Sequence, residues 1–133
     1  MIPFFTKEEL LSPDGLALLE RGINPMDDRT LFYLSELRKT LDTPVLVNHS
    51  DLTLRGWRSP QENEGIYLGK GVSPANRMSS HIAGKAVDIS VPGMSIQSLL
   101  DTIRGRDGWK GVGIYTWGLH IDTWGDSPRT WNG

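Results

Sequence analysis

Leucine and isoleucine residues recur at helical spacing in two stretches of the chain. One stretch predicts a helix over residues 27–41, with acidic residues near its N-terminal end and basic residues near its C-terminal end. The other predicts an amphipathic helix over residues 95–104, which Gly105 ends. Residues 6–22 predict two shorter helices, because a Ser-Pro-Asp-Gly sequence at 12–15 interrupts the pattern.

Short apolar runs and alternating patterns predict four strands. A run that begins at a proline indicates a strand over residues 43–48, and a second strand is predicted over 86–91. Residues 111–115 and 118–123 are predicted to form a hairpin with a tight turn. Residues 59–80 are rich in Ser, Pro, Asn and Gly, which predicts an irregular surface excursion. This order of helices and strands predicts an α+β fold with a small antiparallel sheet.

Length and composition limit the possible functions. The 133 residues fit one domain over 1–133, and we expect a monomer. A net charge of −2 gives no electrostatic basis for a nucleic-acid partner. The absence of cysteine excludes disulfides and thiolate metal sites, which leaves His, Asp and Glu as strong ligands. We expect neither a membrane span nor a signal peptide from the pattern of apolar residues.

Two short segments carry candidate metal ligands. His81 is predicted in a loop and Asp88 on the strand that follows, and Gly84 between them allows a tight turn. The period of two along a strand places His120 and Asp122 on one face. Two histidines and one carboxylate are a standard ligand set for catalytic zinc, with water in the fourth position. On spacing alone the alternative stays open that Asp88 caps a strand and both histidines are ordinary hydrogen-bonding groups.

The residues around these ligands resemble a known family. The segment Ser80-His81-x-x-Gly84-x-Ala86-x-Asp88-Ile89 resembles the zinc signature of the M15 peptidases, the group of D-Ala-D-Ala carboxypeptidases and phage endolysins. Gly56-Trp57-Arg58-Ser59-Pro60 is similar to the Ser-Gly-Tyr-Arg-Ser segment of that family. The C-terminal part resembles its smaller branch in three segments: Gly111-Val-Gly-Ile-Tyr115, Leu119-His-Ile-Asp122 and Pro128-Arg129-x-Trp131.

The resemblance implies a fold shared with hedgehog-type and D-Ala-D-Ala peptidase domains, in which the sheet carries a zinc ion. It implies His81, Asp88 and His120 as the Zn²⁺ ligands. It also implies that Arg58 holds the substrate and steadies the tetrahedral intermediate, a role that suits a permanently charged fork of donors. The implied substrate is the stem peptide or cross-link of bacterial peptidoglycan. The implied setting is a phage endolysin kept in the host cytoplasm until holin release, or a virion-associated domain.

The general base is the main departure from the family. Trp117 lies three residues before His120, where the carboxypeptidases and several endolysins of the family carry Glu or Asp. The smaller branch that this chain resembles often lacks the acid at that position. Asp122 is the candidate base, because strand geometry places it about 6–7 Å along the same face as His120. Alternatively, Asp122 fixes the tautomer of a ligand histidine. Glu62 and Glu64 are further candidates if their loop can move.

Other residues in the motif regions have weaker signals. Residues 48–57 form an insertion relative to the family, and His49 within it is interpreted as a solvated turn residue. Trp57 and Trp131 are predicted to lie in the core. Three aromatic residues near the last ligand either line a substrate groove or pack normally: Tyr115, Trp117 and Trp124.

Two alternative functions fit the same sequence. The first is a non-catalytic, zinc-stabilised binding domain or phage structural component, which Trp117 in place of an acid keeps open. The second is a hydrolase that cuts a small amide or dipeptide on the same scaffold. Loss of wall degradation in a folded His81→Ala variant would separate the peptidase from the binding domain.

Overall fold

The structure, a computed structural model, describes residues 2–47, 55–69 and 79–133. These residues include a five-stranded sheet with the strand order β1-β2-β4-β3-β5. In chain order the strands are Leu46–Val47 (β1), Ala86–Ser90 (β2), Gly111–Ile114 (β3), Leu119–Asp122 (β4) and Arg129–Asn132 (β5).

Within the described residues the chain forms five helices. They are Lys7–Leu10 (α1), Pro13–Glu20 (α2), Asp28–Leu41 (α3), Pro60–Gly69 (α4) and Ile96–Arg104 (α5). Polar side chains cap the helix N-termini and satisfy backbone N–H groups that have no partner inside the helix. The capping residues of α1, α2, α3 and α5 are Thr6, Ser12, Asp27 and Ser95.

The predicted α+β class is confirmed, but the prediction of a purely antiparallel sheet is wrong. Strands β1, β2, β4 and β3 pair antiparallel, and β5 then pairs with β3 in parallel. The chain turns through residues 123–128 and returns along the free edge of β3 in the same direction. The pattern of apolar residues gave no prediction for β5, because its residues are mostly exposed.

The irregular excursion predicted over residues 59–80 is also wrong in its first half, where α4 forms. The oxygen Oγ of Ser59 accepts a hydrogen bond from the backbone N–H of Glu62 at 3.1 Å. The carboxylate of Glu62 in turn accepts one from the backbone N–H of Ser59 at 2.8 Å. Pro60 occupies the first helical position, where its missing N–H costs nothing. Residues 70–78 lie outside the described part of the chain.

The two faces of the sheet differ in character. Side chains on one face join the helices in a single buried hydrophobic cluster, which includes Val87, Ile89, Val112, Leu119 and Ile121. The opposite face carries the polar residues of β2 and β4. Among the described residues no helix is long and apolar enough to cross a membrane. A single domain over residues 1–133 stays a prediction.

Candidate metal centre

The polar face of the sheet is built from two rows of residues that pair across the strands. Residues paired across neighbouring strands project to the same face, so each row forms a continuous surface. The first row contains Asp88, His120, Gly113 and Trp131. The second row contains Ala86, Asp122, Gly111 and Arg129.

Glycines in β3 leave the room that the larger side chains of these rows occupy. A Cβ on Gly111 would overlap the carboxylate of Asp122. A Cβ on Gly113 would lie 2.7 Å from the indole ring of Trp131. The side chains from β4 and β5 therefore meet across a strand that contributes no side chain of its own to this part of the face.

The structure brings together the three residues predicted as metal ligands. His81 Nε2 lies 3.3 Å from Asp88 Oδ1 and 3.2 Å from His120 Nδ1. The third side of the triangle, from His120 Nδ1 to Asp88 Oδ1, measures 3.1 Å. The three side chains are largely buried and form a group that could hold a metal ion.

The loop that carries His81 is fixed against the start of α3. Gly84 has φ of 72°, and a Cβ there would overlap the backbone carbonyl of Pro25. The backbone carbonyl of Gly84 accepts a hydrogen bond from the N–H of Asp27 at 2.9 Å. His81 Nδ1 donates to the backbone carbonyl of Gly56 at 2.8 Å, since a carbonyl can only accept. The lone pair of Nε2 is therefore available toward the other two candidate ligands.

A carboxylate sets the orientation of His120 in the same way. His120 Nε2 lies 2.8 Å from Asp122 Oδ2, to which it donates. This bond leaves Nδ1 facing Asp88 and His81. The other oxygen of the fully buried Asp122 side chain accepts from the backbone N–H of Trp124 at 3.0 Å and from Arg129 at 2.5 Å.

Burial and charge act in opposite directions on the titration of these groups. Burial lowers the pKa of His81 and outweighs the attraction of the Asp88 charge, so this ring favours the neutral form. Burial also disfavours charge on His120, but hydrogen bonds to Asp122 and Asp88 raise its pKa overall. Burial raises the pKa of both carboxyls, yet the two histidines hold that of Asp88 well below its usual value, and His120 lowers that of Asp122.

Arg58 lies beside the His81 loop. Its side chain is buried and donates from Nε to the amide oxygen of Asn63 at 2.9 Å and from Nη2 to Ser79 Oγ at 3.2 Å. The same Ser79 oxygen accepts from the backbone N–H of His81 at 3.2 Å. The Arg58 charge also contributes to the lowered pKa of His81. The arginine expected to hold the substrate is therefore a neighbour of the candidate metal ligands.

The other acidic candidates lie on α4 and not on a loop. The carboxylate of Glu62 caps this helix and accepts a hydrogen bond from Ser12 Oγ at 2.6 Å. Glu64 is exposed on the same helix. His49 lies outside the described residues.

The five aromatic residues of the motif regions lie in four environments. Trp57 lies in the core, as predicted, whereas Trp131 is half-buried with its ring centroid 5.2 Å from that of His120. Tyr115 and Trp117 stack with their centroids 5.0 Å apart. Trp124 is exposed. The prediction that Trp131 lies in the core is wrong, because the ring covers Gly113 on the polar face of the sheet.

Sequence reasoning assigned no role to Arg55 or to Arg129. Arg129 contacts Asp122, and Arg55 Nη1 lies 3.1 Å from Asp88 Oδ2. Arg129 and Trp131 lie two residues apart in the sequence. In a strand, this spacing places both side chains on one face, which is the signal that could have found Arg129. Nothing comparable marks Arg55 in the sequence.

Comparison with known families connects this geometry to a class of enzymes. The family model described as Peptidase M15 matches residues 5–122, which include all three candidate ligands and Arg58. Strand β5 follows the matched region. A comparison with curated proteins found no match. Since the match covers most of the chain, the protein belongs to the M15 family of metallopeptidases.

Proposed function

We propose that the protein is a zinc-dependent peptidase that hydrolyses peptide bonds of bacterial peptidoglycan, as an endolysin or a wall-remodelling enzyme. The M15 family supplies the peptidase class. The observation that carries the proposal is the compact triangle of His81 Nε2, Asp88 Oδ1 and His120 Nδ1. We further propose that the fold is of the hedgehog and D-Ala-D-Ala peptidase type.

The dimensions of the triangle fit zinc. A tetrahedral Zn²⁺ ion with bonds of about 2.0–2.1 Å holds its ligand atoms roughly 3.3–3.4 Å apart. The three separations of 3.1, 3.2 and 3.3 Å are close to that value. Two nitrogens and one oxygen also favour zinc over the oxygen-seeking Mg²⁺ and Ca²⁺. His81, Asp88 and His120 would leave a fourth coordination position for water or substrate.

Residues of the chain would hold the metal ion and the reacting groups. Bound zinc would supply Lewis acidity, which activates water and polarises the scissile carbonyl. His81, Asp88 and His120 would hold it, with the backbone carbonyl of Gly56 fixing the tautomer of His81. Arg58 would offer its guanidinium to the oxyanion of the intermediate or to a carboxylate of the stem peptide.

For Asp122 we favour the role of orienting His120 over that of general base. Its Oδ2 accepts from the metal-binding ring, and its Oδ1 is occupied by Trp124 and Arg129. A general base must reach the attacking water, directly or through one other water. An aspartate with both oxygens engaged on the outer side of a ligand histidine is suited to fixing that ligand.

Purified peptidoglycan tests the proposal directly. Zinc-loaded protein should release new amino groups from isolated sacculi, and His81→Ala should abolish the release while the far-ultraviolet circular dichroism stays unchanged. Arg104→Ala, at an exposed position near the end of α5, is the matched control and should keep full activity. Cleavage of free dipeptides but not of sacculi would favour a hydrolase of small amides.

A non-catalytic zinc-stabilised domain is the second candidate. It is favoured by Trp117, which stands where the carboxypeptidases and several endolysins of the family carry an acid and which stacks on Tyr115. Tight zinc binding together with intact sacculi and intact dipeptides would support it and overturn the peptidase.

A further inference from the structure

We propose that Arg55 is a positioning residue that restricts Asp88 to one metal-binding oxygen, and that Trp117 holds Arg55 in place. This inference rests on the zinc centre of the proposed function but not on its substrate. It assigns a role to Trp117, the residue that departs most clearly from the family pattern, and to Arg55, which lies outside the ligand motifs.

The two oxygens of Asp88 have different partners. Oδ1 belongs to the ligand triangle, at 3.1 Å from His120 Nδ1 and 3.3 Å from His81 Nε2. Oδ2 lies 3.1 Å from Arg55 Nη1 in a partly buried salt bridge. One carboxylate therefore faces two nitrogen ligands with one oxygen and a guanidinium with the other.

This division of partners bears on the coordination number of the metal. A carboxylate can bind a cation through one oxygen or through both. A charge-assisted hydrogen bond to Oδ2 competes with its approach to the metal. With Oδ2 held by Arg55, the protein would supply three ligand atoms and would leave a fourth coordination position open. Without the guanidinium, Oδ2 can turn inward and raise the coordination number.

The backbone carbonyls of Arg55 and Gly56 also hold two of the candidate ligands in place. The backbone N–H of Asp88 donates to the carbonyl of Arg55 at 2.8 Å, and His81 Nδ1 donates to the next carbonyl, that of Gly56, at 2.8 Å. Gly56 packs so closely on α1 that a Cβ would overlap the carbonyl of Leu10. Two consecutive residues of one tightly packed segment thus fix two of the three ligands.

The aromatic ring of Trp117 supports the guanidinium. The Cζ atom of Arg55 lies 4.3 Å from the centre of the Trp117 ring, within the range of a cation–π contact. Tyr115 stacks on the same indole with an interplanar angle of 20° and limits its movement. A carboxylate at position 117 would instead attract Arg55 by charge and compete with Asp88 for it. The tryptophan keeps the guanidinium in place without adding such a competitor.

Metal coordination tests the inference without any use of peptidase activity. The full chain and its variants would be loaded with Co²⁺, whose visible absorption is stronger in four-coordinate than in five- or six-coordinate sites. Zinc affinity would be measured by competition with a chromophoric chelator. Arg55→Ala should weaken zinc binding by about 10–100-fold, the range found when outer partners of metal ligands are removed. The same variant should also weaken the Co²⁺ absorption.

Four further variants make the test specific. Arg55→Lys keeps the charge and should restore part of the affinity, Trp117→Phe keeps an aromatic ring and should resemble the wild type, and Arg104→Ala should match the wild type. Trp117→Ala leaves Arg55 present and should lower both the zinc affinity and the Co²⁺ absorption, as Arg55→Ala does. If Arg55→Ala fails to fold, Trp117→Ala provides the test.

The outcomes separate this inference from the proposed function. An unchanged Co²⁺ spectrum and zinc affinity in folded Arg55→Ala, or in Trp117→Ala where the former does not fold, would overturn the role of Arg55. Failure of the wild-type chain to bind zinc would overturn the proposed function together with this inference. Zinc binding that responds to Arg55, in a protein that cleaves no peptide, would uphold the inference and reject the peptidase.

Discussion

Oδ2 of Asp122 and Nε2 of His120 lie 2.8 Å apart, on the opposite side of the imidazole ring from the nitrogen that faces Asp88. The aspartate is therefore linked to the candidate metal site through the ring. The strand period that brings Asp122 and His120 to one face also allows this contact. The two roles considered for Asp122, general base and orienting partner of His120, therefore predict different effects of replacing this residue.

Replacement of Asp122 by Asn should weaken zinc binding by about 10–100-fold, because an amide is a poorer acceptor for the N–H of His120 and orients the ring less strongly. Peptidase activity should recover substantially when zinc is raised to saturation. Zinc affinity is measured by chelator competition, and activity is measured on sacculi. Unchanged affinity with activity lost at saturating zinc would instead identify Asp122 as the general base.

Gly111→Ala should destabilise the protein by about 1–3 kcal/mol, because the added methyl group overlaps the carboxylate of Asp122 and forces it to move. Gly65→Ala on α4 is the control, since a Cβ there meets no atom within 4 Å. That helical substitution should stabilise the protein by about 0.5–1 kcal/mol. Denaturant unfolding of both variants compares the two effects. Equal stability of the two variants would contradict the tight packing of Asp122 over β3.

Gly84→Ala should cost more stability than Gly93→Ala, although both glycines have positive φ, of 72° and 81°. A left-handed conformation costs a non-glycine residue about 1–2 kcal/mol. Only at Gly84 does the new Cβ also overlap backbone, at the carbonyl of Pro25, whereas at Gly93 it meets nothing within 4 Å. Unfolding free energies test the difference. A similar loss at both positions would mean that the His81 loop can shift away from α3.

Zinc affinity should fall as the medium is made acidic, and His120 should dominate the fall. Its pKa is raised above the usual value, because hydrogen bonds to Asp122 and Asp88 outweigh the effect of burial. Below that pKa the ring holds a proton that zinc must displace, which costs up to about tenfold in affinity for each pH unit. The lowered pKa of His81 keeps that ring neutral over more of the range. Chelator competition between about pH 8 and pH 5 measures the dependence. A constant affinity over this range would contradict it.

The main helices and the first four strands of the chain were predictable from local patterns. The α3 and α5 helices follow apolar periodicity and carry recognisable caps in Asp27 and Ser95. The alternation along β4 correctly places His120 and Asp122 on the face opposite Leu119 and Ile121. In these elements the local signal and the tertiary packing agree.

The wrong predictions arose where local composition suggested one structure, whereas helix capping or strand pairing produced another. Glycine and asparagine suggested a loop over α4, yet Ser59 and Glu62 form a capping box whose spacing is visible in the sequence. Strand β5 has no apolar face to reveal it, and its parallel pairing with β3 depends on the path of the chain after β4. Edge strands of this kind are defined by the backbone of the neighbour they pair with.

The residues that contact the candidate metal ligands could not be predicted in detail. The contact between Arg55 and Asp88 joins residues 33 positions apart, and no pattern in the sequence specifies which oxygen the guanidinium contacts. Gly56 contacts His81 through its backbone carbonyl. Every residue has this group, so the residue type does not indicate the contact. Such roles follow from the three-dimensional path of a segment and not from its side chains.

His81 and His120 are 39 residues apart in sequence, yet their ring nitrogens lie 3.2 Å from each other. A metal ion between them would act as a removable cross-link that closes a loop containing β2, α5, β3 and part of β4. By analogy with a disulfide, closing a loop of about 40 residues lowers the entropy of the unfolded chain by an amount worth about 4 kcal/mol. The ion that enables the chemistry would thus also restrain the C-terminal half of the sheet against unfolding.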